Sequence, residues 1–165
     1  MKTDARVKYT KMVLKKALLE LLEHKPVNKI TVKEVCERAE LNRATFYAHY
    51  TDCFDLLESI EEELFGQFER SMQNYVQSFD IAALVDGLYG IIQEKETVCR
   101  VLLFGRRSTE LIHRMIVYAH DLSIASWRRT LKKASDDELE MLYLCLSNGL
   151  LSVILDGYDR FDRQS

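Results

Sequence analysis

Thr31-Val-Lys-Glu-Val-Cys-Glu-Arg-Ala-Glu-Leu-Asn-Arg-Ala-Thr-Phe-Tyr-Ala-His-Tyr50 is the stretch that decides the fold of this chain. It reads as two short helices joined by a tight turn. Thr31 and Glu34 have the spacing of a capping box, and Ile30 and Val35 stand where a hydrophobic staple pins the first turn. Asn42 caps the second helix, with Leu41 and Phe46 at the matching staple positions. Val32, Val35, Cys36 and Ala39 recur at i, i+3, i+4 and i+7, one buried stripe on a short helix. Such a unit buries its inner faces and leaves the start of its second helix free to enter a major groove. The pattern is a helix-turn-helix.

Outward from this motif, the rest of the chain also reads as helix. One proline and six glycines in 165 residues, 47% of them hydrophobic and 30% charged, disfavour a β-rich or disordered chain. A first helix is expected from about Asp4 to His24, stopped by Pro26. A long helix starts at the Asp52 cap and carries Leu56, Ile60, Leu64 and Phe68 at four-residue steps. Further helices are expected near 80–95, near 97–104 with a break at Gly105, near 108–134 and near 136–157. Ser135 and Glu138 form another capping box. The expected organisation is a head over residues 1–52 and a helical body over 53–165.

Charge divides along the same line. Residues 1–50 hold 11 Lys and Arg against 6 Asp and Glu, whereas residues 51–165 hold 12 against 20. A basic head and an acidic body suit a protein that meets phosphates at one end. Solvated surface charge can give the same imbalance by chance; the motif within the basic part favours the nucleic-acid reading. Cys36, Cys53, Cys99 and Cys145 are dispersed, with no zinc spacing. Without a signal-peptide pattern, they suit a reducing, cytoplasmic setting. The longest apolar run, about Leu139 to Leu155, is too short and too polar to span a membrane.

The last helix is apolar on two sides. Leu139, Leu142, Tyr143, Leu146, Leu150 and Val153 lie on one, and Met141, Leu144, Cys145, Leu151 and Leu155 towards the other. One side can meet its own domain and the other a second subunit; a central helix in a monomer would read alike. The expected dimer interface is Leu142, Leu146, Gly149, Leu150 and Val153, with Gly149 allowing close helix approach.

The first helix, Thr31 to Ala39, then Asn42-Arg-Ala-Thr-Phe-Tyr-Ala-His-Tyr50, Asp52 and Asp55-Leu-Leu57 resemble the DNA-binding head of TetR-type (TetR/AcrR) transcriptional regulators. The resemblance covers about residues 5–60. It implies an all-α protein that dimerises through its last two helices. It further implies repression at a palindromic double-stranded DNA operator until a small-molecule effector fills a pocket in the body. Carried over, Thr31 binds phosphate, Lys33 faces the groove edge, and Asn42, Arg43 and Ala44 open the recognition helix. Arg43 is placed to read guanine and Ala44 to touch a thymine methyl. Thr45, Tyr47 and His49 match phosphate and groove contacts, while Phe46 and Tyr50 are core.

Two positions depart from the pattern. Glu40 stands where the turn usually has glycine, and Cys53 replaces a lysine that anchors a backbone phosphate. The helix start beside Cys53 can still bind phosphate through its N–H groups.

Other readings remain beside these. Lys33 and Arg43 also suit solvated surface, and Tyr47 a half-buried packing role. Cys53 at a helix start suits either a tolerated substitution or a redox sensor. His113 and His120 share a helix, but two histidines do not make a metal site. No Gly-x-Ser-x-Gly or Gly-x-Gly-x-x-Gly motif is present, and neither an enzyme nor a cofactor is expected. Phe68, Tyr89, Phe104, Tyr118 and Trp127 are candidates for a ligand pocket, although aromatics at helical spacing also make ordinary core. The rival to a DNA-binding repressor is a co-regulator that has lost operator binding and docks on another protein.

Overall fold

The structure is a computed structural model that describes residues 2–104 and 109–162. Among these, eight α-helices and one short 3-10 turn are present, and no strand. The helices are α1 (Lys2–Leu22), α2 (Val32–Arg38), α3 (Arg43–Tyr47), α4 (Cys53–Ser78), α5 (Ile81–Glu94), α6 (Glu96–Leu102), α7 (Thr109–Thr130) and α8 (Asp136–Asp162), with the 3-10 turn at Val27–Lys29. The all-α class expected from the sequence is the class observed. None of these helices is long and apolar enough to cross a membrane.

Helix starts follow the local caps. Thr31 accepts from the Glu34 N–H at 3.3 Å while the Glu34 carboxylate accepts the Thr31 N–H at 2.9 Å, a complete capping box. Asn42 accepts the Thr45 N–H at 2.8 Å, and Asp52 accepts those of Phe54 and Asp55 at 2.8 and 2.9 Å. The Ser135–Glu138 box forms in the same reciprocal way. Ends follow less closely. α7 stops at Thr130 rather than 134, because the Leu131 N–H still bonds back to Trp127 while the next turn is closed by Ala134 onto Leu131. α6 stops at Leu102, where the N–H groups of Leu103 and Phe104 share the Cys99 carbonyl. Gly105, the expected breaker, lies outside the described residues.

The chain divides into two compact units, Met1–Leu64 with Thr97–Thr109, and Phe65–Glu96 with Glu110–Ser165. The expected boundary at 52/53 falls at the start of α4, whose first three turns belong to the first unit.

The first unit buries Leu14, Leu18, Val35, Phe46 and Leu56 completely, or nearly so. Each such side chain stabilises the fold by roughly 1.5–3 kcal/mol relative to exposure. The 97–109 segment joins this unit with Cys99 fully buried and with an ion pair from Arg100 to Glu23 of α1 at 2.6 Å. In the second unit, Met72, Tyr75, Leu84 and Leu88 form one cluster, against which Phe68, Tyr118 and Leu150 pack. Ile124, Trp127 and Leu139 form another, joined by Leu142 and Tyr143.

Candidate nucleic-acid interface and body cavity

α2 packs on α1 and α3 packs on α2. The turn between α2 and α3 is closed by two bonds, Leu41 N–H to the Cys36 carbonyl at 2.9 Å and Glu40 N–H to the Glu37 carbonyl at 3.3 Å. This is a Schellman closure, which requires a left-handed residue just past the helix. Glu40 supplies it with φ 54°. The place where a glycine is usual is therefore a place where the backbone needs what glycine allows, and an acidic side chain occupies it under strain.

α3 is anchored from beneath and open above. Phe46 is 0% exposed and Tyr50 is buried, and the two rings pack 6.0 Å apart. On the opposite side Arg43 and Ala44 are exposed and Tyr47 is 57% exposed, its ring edge-on to Phe46 at 5.6 Å. Thr45 and His49 are half-buried between them. Asn42, Arg43, Ala44, Thr45, Tyr47 and His49 thus share one short segment whose outer face is free. Arg43 forms no ion pair among the described residues, so its guanidinium is available.

Thr31 and Lys33 flank this face from α2, and both are exposed. The Thr31 hydroxyl is engaged in its cap, donating to Glu34 at 2.8 Å. Lys33 faces Glu37 one turn on, at 3.6 Å. The Glu34 carboxylate accepts from the Lys25 ammonium and from the Thr31 N–H and hydroxyl. These bonds, the Lys25 one foremost, hold its pKa down to about 2. Glu34 is a structural acid committed to the turn.

Cys53 is 4% exposed. Burial, with the Asp52 charge beside it, pushes its thiol up to about 11. A thiol that remains protonated at neutral pH is a poor nucleophile, so the redox-sensor reading loses its chemical basis. The side chain fills core space, and Phe54 is the exposed residue at this helix start.

The second unit contains a half-open cavity of about 310 Å3 between α4, α5, α7 and α8. Of the five aromatics expected to line a pocket, Phe68 and Trp127 do so. Tyr118 instead packs on Phe65 and Phe68 and accepts a hydrogen bond from Gln73 at 3.1 Å. Tyr89 is tied by its hydroxyl to the Val153 carbonyl at 2.6 Å, and Phe104 belongs to the first unit. Met72, Leu84 and Val85 line the cavity without having stood out in the sequence; nothing distinguishes cavity-lining aliphatics from core ones before the helices are packed.

The α8 residues expected at a dimer interface lie close to this cavity. Leu142 packs against the Ile124, Trp127 and Leu139 cluster, and Leu150 against the other cluster. Leu146, Gly149, Leu150 and Val153 all line the cavity. A Cβ on Gly149 would meet no atom of the chain within 4 Å, so no close approach within one subunit requires glycine there. Exposed apolar positions lie on both sides of α8, with Leu146 and Val153 on the expected side and Met141, Leu144, Cys145 and Leu151 on the other, and on α7 at Ile116 and Val117. The side chain of Leu155 lies outside the described residues. Between α7 and α8, the His120 ring nitrogens face the carboxylates of Asp121 at 3.0 Å and Glu140 at 2.9 Å.

No family model matches this sequence. The uncharacterised HTH-type transcriptional regulator YxbF of Bacillus subtilis strain 168 is 30% identical over 91 residues, which are 55% of this chain and 22% of that protein. The chain therefore spans about a fifth of the length of this curated relative. Among solved structures, a fatty acid metabolism regulator (so assigned) from Clostridium perfringens is similar at TM-score 0.63 and 14% identity, over 90% of this chain and 86% of that one. A protein assigned as a transcriptional regulator from Pseudomonas aeruginosa PAO1 is similar at TM-score 0.62 and 17% identity, over 90% and 78%. A transcriptional regulator described as of the TetR/AcrR family, from Aquifex aeolicus VF5, is similar at TM-score 0.55 and 20% identity, over 89% and 85%. At such identities the likeness is one of fold, and the fold of this chain is that of the TetR/AcrR transcriptional regulators.

Proposed function

We propose that this protein is a DNA-binding transcriptional regulator that reads a near-palindromic operator as a homodimer, represses there, and is released by an effector held in its body. The observation that carries the reading is the α2–turn–α3 unit. Its second helix and the residues just after it keep Phe46 and Tyr50 inward and present Arg43, Ala44 and Tyr47 outward. Arg43 is the base reader, able to grip a guanine edge with its fork, and Ala44 offers a methyl contact. Tyr47, Thr31, Lys33 and His49 position the backbone; Asn42 and Thr45 hold the helix start in place. The surplus of basic residues in the first 50 supplies the sequence-independent attraction.

The dimer is proposed to form through α7 and α8. The exposed apolar side chains of Ile116 and Val117 on α7 and of Met141, Leu144, Leu146, Leu151 and Val153 on α8 support this pairing, Leu146 and Val153 belonging to the interface expected from the sequence. A two-fold pair then carries two identical recognition helices, hence the palindrome. The test is a gel shift and footprint on the DNA upstream of the gene. Dyad-symmetric protection whose affinity falls steeply with salt is expected, and affinity that is flat with salt would overturn the reading.

The co-regulator reading keeps two observations in its favour, the strained acid at Glu40 and the buried Cys53 in place of a phosphate anchor. A shift that appears only when a neighbouring gene's product is added would favour it.

A further inference from the structure

The cavity of the second unit selects its occupant by chemistry that the lining states directly. None of the fifteen described residues around it carries a charge. Phe68, Met72, Leu84 and Trp127 supply aromatic and aliphatic wall, and the polar side-chain groups of the lining residues are uncharged, namely the hydroxyls of Tyr75, Ser123, Tyr143 and Ser147 and the indole N–H of Trp127. A carboxylate or ammonium drawn into this space would lose water and meet no opposite charge among the lining residues, which disfavours its entry. Hydrocarbon loses nothing there and gains dispersion contacts with the wall. Beside Ile81, a half-exposed lining residue, the start of α5 is already capped by Asp80, whose carboxylate accepts the Ala83 N–H at 3.0 Å. That acid repels an anionic head group from this helix start.

Volume limits the size. An apolar cavity of about 150 Å3 holds one benzene, so about 310 Å3 holds roughly a dozen non-hydrogen atoms. We propose that this cavity binds an uncharged, predominantly hydrocarbon molecule of about a dozen non-hydrogen atoms with at most one hydroxyl-type polar group. The inference rests on the reading of the protein as an effector-responsive regulator and names the class of its effector.

Trp127, the only tryptophan of the chain, lines the cavity and is its built-in reporter. The full-length protein is titrated with a straight-chain alcohol of about ten carbons, the matching carboxylate and the matching amine, following Trp127 emission. The alcohol is expected to bind about tenfold or more tighter than either charged homologue. Ile81→Lys places an ammonium at the half-exposed rim without entering the core, and should shift the preference towards the carboxylate by several-fold. Equal affinity for all three probes, preference for a charged probe in the unmodified protein, or no response of Trp127 to any probe overturns the inference. So does an emission that changes only with protein concentration, which would mean that a second copy covers the cavity. Operator binding is measured separately by gel shift. Alcohol binding without any DNA binding would refute the regulator reading and leave the cavity assignment standing; DNA binding without alcohol binding would do the reverse.

Discussion

Replacing Glu40 with glycine isolates the strain in the turn of the helix-turn-helix. Glu40 sits at φ 54° and makes the N–H bond to Glu37 that closes the turn, while its side chain is exposed. The left-handed conformation costs an L-residue with a Cβ about 1–2 kcal/mol. Glycine removes that term but orders a freer unfolded chain, a penalty of roughly 0.5–1 kcal/mol relative to alanine. Glu40→Gly should therefore stabilise the protein by about 0.5–1 kcal/mol. Glu40→Ala removes the same carboxylate but keeps the Cβ, so its stability should stay within about 0.5 kcal/mol of the parent. Urea unfolding followed by far-UV circular dichroism reads both, as a midpoint shift at constant slope. On DNA the two variants should behave alike, since each deletes one negative charge from the head; a gain of about two- to fivefold at moderate salt is expected. Equal stability of the glycine and alanine variants, or loss of stability in Glu40→Gly, would refute the strain argument. A difference between them in operator affinity would show that turn geometry, and not charge, governs the docking of α3.

Arg43→Ala should weaken operator binding by about 1–3 kcal/mol and relax the preference at one base pair per half-site, read by competition gel shifts. Tyr47→Phe should weaken all sequences alike by about 1 kcal/mol, because one phosphate hydrogen bond is lost and no base contact changes. Leu144→Glu on the exposed side of α8 should yield a folded monomer near 19.3 kDa by light scattering; Leu139→Ala, buried among Ile124 and Trp127, should instead lower stability by about 2–5 kcal/mol. His120 is raised above its ordinary 6.5 by hydrogen bonds to Asp121 and then Glu140, since only the imidazolium donates to both. Its contribution is complete below pH 6.5 and disappears as pH climbs through the raised value, so stability should decline over that interval and His120→Gln should flatten the decline. The ring is a third exposed, and screening keeps this effect below about 1 kcal/mol.

Helix starts were legible in the sequence because capping is local. Thr31 with Glu34, Asn42, Asp52, and Ser135 with Glu138 each satisfy orphan N–H groups within four residues of themselves, so the residue types at those spacings carry the information. The inward roles of Phe46 and Tyr50 and the outward roles of Arg43, Ala44 and Tyr47 were implied by the resemblance to the TetR-type head, and their burial follows that pattern. The end of α7 was not legible: Leu131, Lys132 and Lys133 carry no breaker, and only the turn closed by Ala134 stops the helix.

What required tertiary structure is everything settled between residues distant in the chain. The return of residues 97–109 to the first unit depends on burying Cys99 and pairing Arg100 with Glu23, more than seventy positions away. Both sides of α8 are apolar, and periodicity cannot rank two apolar faces. The contacts of Leu142 and Leu150 with clusters from α4, α5 and α7 decide which one turns inward. Cys53 reads from sequence as a helix-start residue suited to a tolerated substitution or a redox sensor, and only the packed structure shows that it is buried. The cavity is the clearest case, because it is a space that four helices leave unfilled, and a sequence lists the side chains but not the gaps between them.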